Sequence, residues 1–115
     1  MNTNIFIEEL EKHYNKFKET NLVDRRFKHK DIAGLIHKLS QYPLFKISKP
    51  GKSTEGREIY LIKAGTGKLK VLLWSQMHGN EPTATAALFD LFNLLVSDSF
   101  QIEIKNILDK ISLYI

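Results

Sequence analysis

His78 and Glu81 stand three residues apart, with Gly79 and Asn80 between them. An imidazole nitrogen and a carboxylate oxygen are two of the donors that zinc accepts, each at roughly 2.0–2.2 Å. For both to reach one ion the chain must turn sharply, and Gly and Asn are the residue types that best tolerate left-handed backbone angles. Pro82 then suits the first position of a helix, where its missing N–H costs nothing. The positive end of that helix would face Glu81 and favour an ionised carboxylate. A plainer reading of the same residues is a turn followed by a capped helix. Four histidines among 13 acidic residues give His-x-x-Glu spacing by chance often enough to leave both readings open. A strand–turn–helix setting favours the metal. The other histidines, His13, His29 and His37, lie in charged helical segments with no partner at ligand spacing and read as surface residues.

The flanking sequence predicts that setting. Leu69 to Gln76 (LKVLLWSQ) is rich in β-formers, and Val71 to Trp74 is apolar on both faces, the pattern of a central strand covered on both sides. After Pro82, the residues Ala84, Ala87, Leu88, Leu91, Phe92 and Leu95 recur at helical spacing as one stripe. The pair therefore falls at the carboxyl end of a strand, where α/β sheets place their sites. Upstream, Glu58 to Ala64 (EIYLIKA) is a second strand, and Gly65-Thr66-Gly67-Lys68 reads as a hairpin joining it antiparallel to the next. Leu44 to Ser48 is a third, ended by a turn at Pro50-Gly51. The first 43 residues read as two helices. One carries Ile5, Leu10, Tyr14 and Phe17; the other is capped by Asp31 and carries Ile32, Leu35, Ile36 and Leu39 up to a stop at Pro43. A further helix is expected over 101–110, and a β-like run opens at Ile111.

The expected fold is thus α/β, a sheet flanked by helices as in an α/β sandwich. Residues 1–43 supply the leading helices and 44–115 the sheet-bearing part of one incomplete domain. The absence of cysteine excludes disulfides and thiolate metal sites, so a metal must take His and carboxylate ligands. The net charge of +4 comes largely from Arg25, Arg26, Lys28 and Lys30, a run that reads as solvated surface and not as a nucleic-acid site. No stretch has the apolar core of a signal peptide or the roughly 18 apolar residues of a membrane span, so a cytoplasmic location is expected.

At this point the residues resemble a family. Ser53-Thr54-Glu55-Gly56-Arg57-Glu58-Ile59, then a strand, a glycine-containing turn, an apolar strand and His78-Gly79-Asn80-Glu81, is similar in order and separation to the zinc carboxypeptidases. In that family an S-x-E-G-R-x-I segment precedes the H-x-x-E ligands by about this interval. The resemblance runs from about Phe45 to the last residue. It implies a partial α/β sandwich with a mixed sheet flanked by helices, and it makes His78 and Glu81 the first two zinc ligands. It gives the Glu55-Gly56-Arg57 segment a structural part, with Arg57 bracing the turn through an ion pair. Digestive members carry an Arg before the ligand Glu, where this chain has Asn80, so a substrate contact from that position is not carried over. The family's third ligand, its general-base Glu and its carboxylate-gripping Asn-Arg pair lie beyond the segment that matches. The implied function is zinc-dependent release of C-terminal residues from peptides, with this chain inactive alone and holding zinc weakly.

The His-Gly-Asn-Glu form also resembles a sister group, the succinylglutamate desuccinylases and aspartoacylases, whose substrates are small N-acyl amino acids. The Glu-Gly-Arg segment favours the carboxypeptidases. A third reading is a non-catalytic interaction module, self-associating through an unpaired sheet edge.

Overall fold

The computed structural model describes residues 2–22 and 24–115. In chain order the elements are helices α1 (Thr3–His13) and α2 (His29–Leu39), strands β1 (Phe45–Lys52), β2 (Glu58–Ala64) and β3 (Leu69–Leu72), helices α3 (Thr83–Val96) and α4 (Gln101–Leu108), and strand β4 (Ile111–Tyr114). The strands form one mixed sheet in the order β1-β2-β4-β3. The β1–β2 and β2–β4 pairs are antiparallel and the β3–β4 pair is parallel, with Val71 level with Leu113. A single core gathers Ile36 of α2, Phe45, Ile62, Phe92, Ile104 and Leu113, so sheet and flanking helices bury their apolar faces together. The fold is α/β with a mixed sheet, as the sequence predicts.

The sheet order corrects the expected hairpin. β2 and β3 do not pair, because β4 lies between them. The glycines of the connecting segment serve close approach instead of a tight turn. The N–H groups of Thr66 and Gly67 both reach the Leu108 carbonyl, at 2.9 and 3.2 Å, and that of Gly67 also reaches the Ile111 carbonyl at 3.1 Å. A Cβ on Gly67 would stand 1.8 Å from the Lys110 carbonyl carbon. Gly65 has φ +85°, and its Cβ would lie 2.4 Å from the Ile111 oxygen. The buried Ser112 hydroxyl donates to the Gly67 carbonyl at 2.8 Å, so the connection is sewn to the start of β4.

β3 is likewise an edge strand and not a central one. It ends at Leu72 and has β4 as its sole neighbour in this sheet. Val71 and Leu73 are half-buried, but Leu72 and Trp74 are each 62% exposed. The run is apolar on both faces, as expected; among the described residues nothing covers the outer one. β1 also runs further than expected, through Pro50-Gly51 to Lys52, with a register shift between Ser48 and Gly51. Proline is tolerated there because β1 is the other edge and its outer side needs no donor.

The helices refine the reading in smaller ways. Lys28, not Asp31, occupies the cap position of α2; Asp31 sits inside the first turn and accepts the Lys28 N–H at 2.7 Å. α3 begins at Thr83, one residue after Pro82. It buries Thr85, Phe89, Phe92 and Leu95, while Ala84 and Ala87 of the expected stripe are exposed and Leu88 and Leu91 half-buried. This helix is apolar nearly all round, so periodicity alone could not choose its inner face. The large rings decide it: Phe92 packs edge-on against Phe45 and Phe89, at 5.5 and 5.4 Å between centroids.

The segment before α2 is tied to α3 through polar groups. Asp90 accepts the Tyr14 hydroxyl and the Glu19 N–H, both at 2.6 Å. Glu19 in turn accepts the Asn21 N–H and amide, at 2.8 and 2.7 Å, and the Asn93 amide at 3.3 Å. Partial burial pushes the Glu19 carboxyl upward, yet these donors and Lys38 together hold it below its ordinary value. A carboxyl lowered in the fold contributes stability above its unfolded pKa and loses it as pH falls through the folded value. The melting temperature should therefore fall on acidification from about pH 5, and Glu19→Gln should flatten that acid limb because it gives up the carboxylate's contribution at pH 7. Identical acid limbs for the two proteins would remove Glu19 from the account.

Candidate metal centre

After β3 the chain leaves the sheet through Leu73 to Gln76 and enters the turn that carries His78 and Glu81. The Glu81 N–H donates to the His78 carbonyl at 3.0 Å, closing the turn one residue before Pro82. Both side chains project to the same side: His78 Nδ1 lies 3.2 Å from Glu81 Oε2. Two donors each roughly 2.0–2.1 Å from a tetrahedral zinc stand about 3.3 Å apart, so this pair has the spacing of two ligands of one ion. The side chains are 69% and 67% exposed and open to an ion from solvent. α3 begins two residues after Glu81, and its unpaired N–H groups add positive potential beside the carboxylate. The residues present thus fit part of a zinc shell. Among the described residues, no group of three or more His, Cys, Asp or Glu side chains comes together to hold a metal.

The other histidines are engaged elsewhere. His13 bonds through Nδ1 to the Glu9 carbonyl at 2.9 Å and packs edge-on against Phe100. His29 bonds through Nε2 to the Glu58 carbonyl at 2.9 Å and stacks on Tyr60. Both are half-buried, which corrects their reading as surface residues; His37 is exposed as expected.

Glu55, Gly56 and Arg57 form the turn of the β1–β2 hairpin. Gly56 takes φ +77°, a conformation that disfavours side chains, and its N–H donates to the Ser53 carbonyl at 2.9 Å. The Ser53 N–H donates to the Arg57 carbonyl at 2.8 Å, and the Ser53 hydroxyl accepts the Arg57 N–H at 3.1 Å. The Arg57 guanidinium pairs with the Glu55 carboxylate across this turn. The strand directions send the hairpin turn and the His78–Glu81 loop out of the same end of the sheet.

Ser75 and Gln76, expected as the end of the strand, lie beyond it in this loop and meet Thr85 there. Gln76 has φ 55° without being glycine. Its amide nitrogen donates to the Gly79 carbonyl at 2.8 Å, and its oxygen accepts the Thr85 hydroxyl at 2.8 Å. The Ser75 and Thr85 hydroxyls are 2.7 Å apart. A threonine in the first turn of an otherwise apolar helix face is the sequence feature that could have pointed there.

Comparison with known proteins bears on this arrangement. The sequence model of the zinc carboxypeptidases matches residues 32–115. The chain belongs to the zinc carboxypeptidase family. Solved structures agree in fold. The chain is similar to a metallo-carboxypeptidase from Burkholderia cenocepacia, with TM-score 0.69 and 20% identity over 76% of this chain and 26% of that one. It is also similar to a provisionally assigned carboxypeptidase A from Shewanella denitrificans, with TM-score 0.69 and 24% identity over 76% of this chain and 24% of that one. A provisionally assigned carboxypeptidase from Burkholderia mallei gives TM-score 0.70 and 22% identity, over the same shares. The chain thus spans about a quarter of the length of the solved structures it matches. A comparison with curated proteins gave no match. The family is zinc-dependent, and His78 and Glu81 are the residues of this zinc carboxypeptidase relative that offer donors at zinc spacing.

Proposed function

We propose that this chain carries part of the active site of a metal-dependent hydrolase that releases C-terminal residues from peptides. The observation that supports this most is the 3.2 Å approach of His78 Nδ1 to Glu81 Oε2 at the mouth of a strand–turn–helix, within a chain of this family. When bound there, zinc supplies Lewis-acid chemistry, polarising a peptide carbonyl and lowering the pKa of a water molecule. His78 and Glu81 would hold the ion, at the N-terminal end of α3. Catalytic zinc sites generally have three protein ligands and a positioned base, so the 115-residue chain alone should turn over no substrate. The test is release of the terminal residue from a blocked dipeptide, with zinc present. The chain alone should be inactive. A longer polypeptide continuing it through the remainder of its relatives' fold should be active, and His78→Ala or Glu81→Gln should abolish that activity. Turnover of N-acyl amino acids in place of dipeptides would favour the desuccinylase-like alternative.

A second reading, self-association, has its own support in the outer edge of β3, which pairs with no other strand among the described residues. The N–H groups of Leu69 and Leu73 are spent on the carbonyls of Lys110 and Tyr114, at 3.2 and 2.8 Å, so the backbone groups of Lys70 and Leu72 face outward. Leu69, Leu72, Trp74 and Met77, 62–70% exposed, lie along the same segment. We infer that two copies pair through this edge. Gel filtration with light scattering should give a dimer, and Leu72→Lys with Trp74→Lys should give a monomer. A wild-type chain that stays monomeric at high concentration would contradict it.

A further inference from the structure

The contacts of Gln76 have a definite direction. The Gly79 carbonyl can only accept, so the Gln76 nitrogen must face it and the amide oxygen must face Thr85. Thr85 therefore donates to Gln76, and the hydroxyl left to donate into Thr85 Oγ1 is that of Ser75. The result is a one-way relay from Ser75 through Thr85 and Gln76 to Gly79. It joins the end of the strand segment, the first turn of α3 and the middle of the metal-ligand turn. Thr85 is buried at 6% exposure, so the relay has a fixed anchor. Gln76 reaches both ends because its backbone is left-handed, a conformation that a β-carbon resists. Glutamine supplies a donor and an acceptor on one planar group. Glutamate there would set an oxygen against the Gly79 carbonyl.

We propose that Gln76 is a positioning residue, braced by Thr85, that fixes the turn so that His78 and Glu81 converge before any metal arrives. This rests on the metal reading above for its purpose but not for its geometry. Hydrogen-bond partners that orient metal ligands typically change affinity by 10–100-fold when removed. The deciding variant is Gln76→Gly, which removes the amide while relieving the left-handed backbone. Its melting temperature should equal or exceed that of the wild type. Hydrogen exchange at the Glu81 amide in the metal-free chain should quicken about tenfold, and zinc affinity should fall about tenfold. Thr85→Val, which keeps the shape without the hydroxyl, should move both readouts the same way, and Thr85→Ser should restore them to within about twofold. Glu81 exchange unchanged by Gln76→Gly overturns the positioning role whether or not the metal reading stands. A lower melting temperature with zinc affinity unchanged marks a role in the fold alone and also overturns it. Zinc affinity insensitive to His78→Ala defeats the metal reading separately, and leaves the Glu81 exchange to decide for Gln76.

Discussion

Gly67→Ala should cost about 3 kcal/mol or more, at or beyond the upper end of the usual overpacking penalty of about 1–3 kcal/mol. The added carbon would meet Lys110 and Ile111 backbone atoms at 1.8–2.1 Å, and backbone cannot rotate aside as a side chain can. Relief requires the start of β4 to move off the connection. That breaks the Gly67 N–H bonds to Leu108 and Ile111 and the Ser112 bond to Gly67. Because β4 joins β2 to β3, the damage reaches the whole sheet. Gly34→Ala is the matched control. It lies within α2, meets nothing within 4 Å, and should gain about 0.5–1 kcal/mol from helix propensity. Urea titration followed by circular dichroism reads both. A Gly67→Ala loss below about 1 kcal/mol would show that the connection is not packed as described.

That glycine also marks where the sequence stopped being legible. Local patterns located all four strands and all four helices to within a few residues, because periodicity and turn chemistry act over neighbours. Strand order is set by a partner more than 40 positions away, and a Gly-Thr-Gly segment looks the same in a hairpin as in a crossover. The doubly apolar run at Val71–Trp74 gave a strand but not its place, since a run that could be buried on both faces need not find cover. In α3 the period could not rank Leu88 and Leu91 against Phe89 and Phe92; the volume available around Phe45 did. At the site, the approach of His78 and Glu81 was readable but its cause was not: neither Gly79 nor Asn80 takes the left-handed angles expected of them, and Gln76 does. The Gln76–Thr85 bond was not readable either, because it spans nine residues from a strand end to a helix and needs a left-handed glutamine.

Under the proposed function, loss of either His78 or Glu81 should be the largest functional effect. His78→Ala leaves one carboxylate and Glu81→Gln leaves one imidazole, and a lone donor competes poorly with water for zinc. Each should weaken zinc binding by more than the roughly 10–100-fold that removal of an orienting partner costs, with little loss of stability because both side chains are exposed. His29→Ala, whose ring is committed to the Glu58 carbonyl and Tyr60, should leave zinc affinity unchanged while lowering the melting temperature.

The most direct measurement is calorimetric titration of the 115-residue chain with zinc, beside His78→Ala and Glu81→Gln. The expected result is one weak site in the wild type that either substitution removes. Tight binding that either substitution removes would mean that other residues or a second copy complete the site, whereas affinity that survives both substitutions would place the metal elsewhere and contradict the assignment of this turn as a zinc carboxypeptidase ligand pair.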